Sequence, residues 1–70
     1  MNKQLAEIIK MLLDNAGYMD DADEILGDIV DNQGKKEAKK HAKHLNDLVA
    51  LINPFLDEPI TNNFLDDIPK

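Results

Sequence analysis

Apolar residues at helical spacing recur three times along this chain, and a glycine or proline closes each run. Leu5, Ile8, Ile9, Leu12, Leu13 and Ala16 lie at i, i+3, i+4, i+7, i+8 and i+11, and the run stops at Gly17. Ala22, Ile25, Leu26, Ile29 and Val30 repeat the spacing up to Asn32-Gln33-Gly34. Ala38, Ala42, Leu45, Val49 and Ile52 then step by 4, 3, 4 and 3 towards Pro54, with Leu48 and Leu51 widening the stripe. Each run is one face of an α-helix. The three lie between Leu5 and Ile52 of a 70-residue chain. The expected fold is therefore all-α: a three-helix antiparallel arrangement over residues 1–53, and an extended acidic and apolar tail over 54–70, partly draped on the helices.

End signals agree with these limits. Asn2 can cap the first helix, and Gly17 suits the left-handed position after it. Asp20 or Asp21 can cap the second, whose first-turn acids suit the positive helix end. Gly27 lies inside that helix at a cost of about 1 kcal/mol relative to Ala, which a close helix–helix crossing would explain. The third helix starts at Lys35 or Lys36 and runs to Asn53, where Pro54 stops it. Leu12 and Ile29 are expected core positions.

A chain this short has a marginal core. Without Cys it has no disulfide and no thiolate metal site, so its stability rests on helix packing or self-association. No apolar leader precedes the first helix, and no run approaches the roughly 20 residues that cross a bilayer. A cytoplasmic protein without membrane contact is the expectation.

Charge is sorted into blocks. Met11 to Gly34 holds Asp14, Asp20, Asp21, Asp23, Glu24, Asp28 and Asp31, with no Lys or Arg. Lys35, Lys36, Lys39, Lys40 and Lys43 follow, with Glu37 alone among them. The remainder is acidic again, through Asp47, Asp57, Glu58, Asp66 and Asp67 against Lys70. Such blocks make a field, and a net charge of -6 favours a basic partner over nucleic acid or anionic lipid. Asp20, Asp21, Asp23, Glu24, Asp28 and Asp31 on one helix could imitate a phosphate backbone; the plainer reading is a solvated face with capping acids. The lysines oppose the dipole at the start of the third helix, which internal pairing with Asp28 and Asp31 would relieve. A nucleic-acid contact through Lys35–Lys43 is the alternative.

The tail carries a near-repeat. Phe55-Leu56-Asp57-Glu58-Pro59-Ile60 returns nine residues later as Phe64-Leu65-Asp66-Asp67-Ile68-Pro69. Aromatic anchors flanked by acids can dock into basic-rimmed grooves, so Phe55, Leu56, Phe64, Leu65, Asp66 and Asp67 join the acids of the second helix as candidate partner-binding residues. Folding back over the helices is the plainer alternative for these apolar residues. Asp66-Asp67-Ile68-Pro69 resembles the acidic tip of bacterial single-stranded-DNA-binding proteins. Those tips end in Phe where Lys70 stands here, and no function is taken from the likeness.

No catalytic set stands out. The chain has no Ser, Cys, Arg or Trp and no glycine-rich phosphate loop. His41 and His44 lie at i and i+3 without a third ligand in the pattern, and Asp20, Asp21 and Asp23 miss the EF-hand register. No enzyme, metal or cofactor is expected. The expected function is a small acidic interaction module, an inhibitor or adaptor that occupies a basic surface of a larger protein. In general style it is similar to small phage-encoded proteins that bind host enzymes. The alternative to hold beside it is a self-associating helical module, favoured if the stripes of the first and third helices are too wide for one chain to cover.

Overall fold

The computed structural model describes residues 1–69 and is all-helical, with three helices. Helix α1 spans Lys3–Asn15, α2 Ala22–Gln33 and α3 Lys35–Ile52. Two 3-10 turns follow at Asn53–Phe55 and Phe64–Asp67, and no strand occurs among the described residues.

The helix ends follow from local chemistry. Asn2 Oδ1 accepts the Leu5 N–H at 2.8 Å. Gly17 has φ +93°, a conformation that L side chains rarely adopt. Around it the Tyr18 N–H donates to the Leu13 carbonyl and the Gly17 N–H to the Asp14 carbonyl, both at 3.0 Å. Those are the two bonds of a Schellman motif. Asp21 stands at the N-cap of α2, but its carboxylate makes no cap bond. Gly34 alone, at φ +97°, joins α2 to α3. The third helix folds back along the second, so that Ile29 and Gln33 share a cleft with Glu37, Lys40 and His41.

The core is organised by α3. Its expected stripe, Ala38, Ala42, Leu45, Val49 and Ile52, is buried throughout. From α2 come Ala22 and Leu26, with Ile29 and Val30 partly buried beside them. The remaining large contributions come from the tail: Ile60, Phe64 and Ile68, spaced four apart, are all buried. Phe64 is fully enclosed and meets Tyr18 edge-on, with ring centroids 6.2 Å apart.

Asn46 of α3 and Asn53, the residue that caps its C-terminal end, hold the tail in place. The Asn53 amide donates to the Ile60 carbonyl, and Asn53 Oδ1 accepts the Ile60 N–H, each at 2.9 Å. Asn46 Oδ1 accepts the Phe64 N–H, and its amide donates to Asn63 Oδ1, again at 2.9 Å. Asn53 keeps helical backbone angles as the C-cap of α3, seven residues or two turns after Asn46, so both clamps project from one side.

Several expectations are overturned by packing. On α1 only Ala6 and Leu13 are buried; Leu5, Ile8 and Leu12 are 42–58% exposed, so Leu12 is not a core position. Leu51 is 62% exposed and does not widen the core stripe. Gly27 marks no helix crossing: a Cβ there would lie 3.7 Å from Pro69 of the tail.

Candidate functional site

Step pattern on α1 decides which surfaces exist. Its four ionisable side chains, Lys3, Glu7, Lys10 and Asp14, step by 4, 3 and 4. Leu5, Ile8 and Leu12 step by 3 and 4, two residues out of register with them. Two residues is about 200° on a helix, so the rows occupy opposite sides. The charged row is tied to the first half of the tail. Lys3 Nζ lies 3.0 Å from Asp57 Oδ2, and Lys10 Nζ donates to the Glu58 carbonyl at 3.0 Å. The Asp57 carboxylate holds the Lys3 ammonium's pKa above its ordinary value.

A groove of about 590 Å³ opens along that charged side. Met11, Met19 and Leu56 give it apolar walls, and Glu7, Asp14, Asp57 and Glu58 surround them with Lys10 as the lone cation. The ammonium of Lys10 is already engaged by a carbonyl, and the Asp57 carboxylate by Lys3. Glu7, Asp14 and Glu58 make no ion pair within 4.0 Å among the described residues. Methionine is flexible and polarisable, which suits a surface that adapts to its occupant.

The acids Asp20, Asp21, Asp23, Glu24, Asp28 and Asp31 are all exposed. The fold brings one of them to the tail: Asp67 is raised above its ordinary pKa, first by burial and then by the carboxylates of Asp23 and Asp66. Asp23 of α2 thus lies close to Asp67 of the tail, although the two are far apart in sequence. The internal pairing expected for the lysine block is absent. Among the described residues the ion pair within 4.0 Å is Lys3–Asp57, and neither Asp28 nor Asp31 reaches Lys35, Lys36 or Lys39. Instead the second half of the tail borders this block, where Leu65, Asp66, Ile68 and Pro69 share a groove with Lys35 and Lys39.

The two tail copies separate. Phe64, expected to reach a partner, is a core residue, because Asn46 and Tyr18 hold it inward. Leu65 beside it is 44% exposed. In the first copy the roles reverse: Leu56 packs on the core and Phe55 is 38% exposed. His41 Nε2 is hydrogen-bonded to the Tyr18 hydroxyl at 2.9 Å, so this imidazole braces the core side of α3.

Asp14, Asp57 and Glu58 are read from the sequence only as members of charge blocks, and Glu7, Met11 and Met19 carry no site signal of their own there. The 4, 3, 4 row of charges on α1 was the available signal for half of this groove; the other half depends on where the tail folds. No helix among the described residues is long and apolar enough to cross a membrane. The chain matches no family model, and no curated protein or solved structure resembles it.

Proposed function

We propose that this protein is an acidic interaction module whose groove beside α1 takes a basic, amphipathic segment of a larger protein. The groove carries the reading: an apolar strip of Met11, Met19 and Leu56 lies between carboxylates with only one lysine among them. Such a site suits a helix or extended segment that presents Leu or Met on one side and Lys or Arg on the other. The patch of Asp23, Asp66 and Asp67 and the net charge of -6 add long-range attraction that speeds encounter. Inhibitor and adaptor are both served by this arrangement, since each requires only that the basic surface be covered.

Fluorescence anisotropy with a labelled helical Leu/Lys peptide tests the reading. Binding should weaken steeply as salt rises, because exposed charge pairs are screened. Glu7→Lys with Asp14→Lys should lower affinity at least tenfold, while Asp23→Lys with Asp28→Lys should mainly slow association. Unchanged affinity after reversal at Glu7 and Asp14 would mean that the groove is not the site.

A further inference from the structure

We infer, on the strength of the binding role proposed for the groove, that Met11 and Met19 form an oxidation site through which hydrogen peroxide lowers the groove's affinity for its basic partner. The chain has three methionines, no Cys and no Trp. Peroxide therefore meets no thiol here, and the thioethers are its targets. Met11 comes from α1 and Met19 from the turn between α1 and α2, and both line the groove. Met11 is 53% exposed, and Met19 is half-buried against the core. Met1 supplies an internal control, because it is 54% exposed but is not among the groove's lining residues.

The chemistry needs no other reactant. A sulfur lone pair attacks one oxygen of the peroxide, an S–O bond forms and the O–O bond breaks. A proton passes to the departing oxygen, which leaves as water; the sulfur is oxidised and the peroxide reduced. The sulfoxide is polar, and it disrupts surfaces that depend on methionine for apolar contact. Met11, Met19 and Leu56 are the apolar lining residues, so oxidation leaves Leu56 alone among them. No charge is gained or lost. Glu7, Asp14, Asp57 and Glu58 still draw in a basic segment, while the apolar contact that retains it is removed. Dissociation should therefore quicken, with association and its salt dependence unchanged.

Fluorescence anisotropy with the labelled helical Leu/Lys peptide, before and after treatment with hydrogen peroxide and its removal, tests this, and mass spectrometry places each added oxygen. Oxygen at Met11 and Met19 should weaken binding by about fivefold or more, with the helical circular dichroism retained. Methionine sulfoxide reductases with dithiothreitol should restore the affinity. Met11→Leu with Met19→Leu should still gain oxygen at Met1, yet its own affinity, whatever its value, should be the same before and after peroxide. Should sulfoxide at Met19 disturb the fold, Met11→Gln makes the polar change at the exposed position alone and should weaken binding through dissociation. Full affinity with both groove methionines oxidised, oxidation confined to Met1, an undiminished peroxide response in the leucine variant, or full affinity in Met11→Gln would each overturn the inference. These outcomes presuppose that the reduced protein binds the peptide. Its failure to bind would instead overturn the groove's binding role, and the inference with it.

Discussion

The two ends of the chain exchange the roles that their patterns suggest. The N-terminal helix has a broad apolar stripe, yet Leu5, Ile8 and Leu12 of that stripe lie at the surface. The C-terminal tail has three prolines within residues 54–70 and no helical stripe, yet it supplies Ile60, Phe64 and Ile68 to the core. A hydrophobic pattern shows which side of a helix avoids water; it does not show whether the cover comes from the same chain. The tail is buried because α3 offers both a cavity for Phe64 and hydrogen bonds for the backbone around it. On α1 a narrow edge, Ala6 and Leu13 with Ile9 beside them, is enough to dock the helix, and Leu5, Ile8 and Leu12 stay exposed.

Substitution at matched apolar positions should break the symmetry most clearly. Phe64→Ala should cost about 3–5 kcal/mol and could unfold so small a domain. Leu12→Ala should change stability of the single chain by no more than about 0.5 kcal/mol, because the side chain is mostly in water. Urea denaturation of the two variants at low protein concentration measures both. Next in size are the clamps. Asn53→Ala leaves the Ile60 N–H and carbonyl without their side-chain partners and should cost about 1–3 kcal/mol.

Much of the fold was legible and much of the surface was not. Gly17, Gly34 and Pro54 mark the helix ends because each position has a local backbone requirement. The α3 stripe was readable because a central helix is covered along its whole length. The tail's inward residues, spaced by four, carried a weaker signal that the Phe-Leu-acid-acid likeness obscured. That repeat is chemical but not structural: in one copy Leu56 turns inward, in the other Phe64 does. Asn46 and Asn53 lie outside the apolar stripe, and only the docked tail gives them partners. The acids of α2 are legible as a block, while the approach of Asp23 to Asp67 depends on tertiary contact.

Smaller effects sharpen the account of the tail. Gly27→Ala should stabilise by up to about 1 kcal/mol through helix propensity, since the new methyl meets Pro69 at an ordinary contact distance of 3.7 Å. A fall in melting temperature would mean that Pro69 sits closer than this. Asp67 gives the smallest and most specific effect. Its carboxyl is raised, so the folded state holds the proton more tightly than the unfolded chain does. The resulting stability is present below the ordinary value of 3.8 and is lost as pH rises through the folded-state value. Asp67→Asn should therefore be slightly more stable than the parent at pH 7, by at most about 0.5 kcal/mol. That difference should vanish in acid, as a pH series of thermal melts would show.

Native-state hydrogen exchange tests most directly whether the tail belongs to the core. The Ile60 N–H is held by Asn53, which caps α3, and the Phe64 N–H by Asn46 within it. If the tail and α3 open together, these two amides should exchange with the same opening free energy as those of Leu45 and Val49. Exchange at Ile60 and Phe64 near the rate of an unstructured peptide, while Leu45 and Val49 stay protected, would contradict the account.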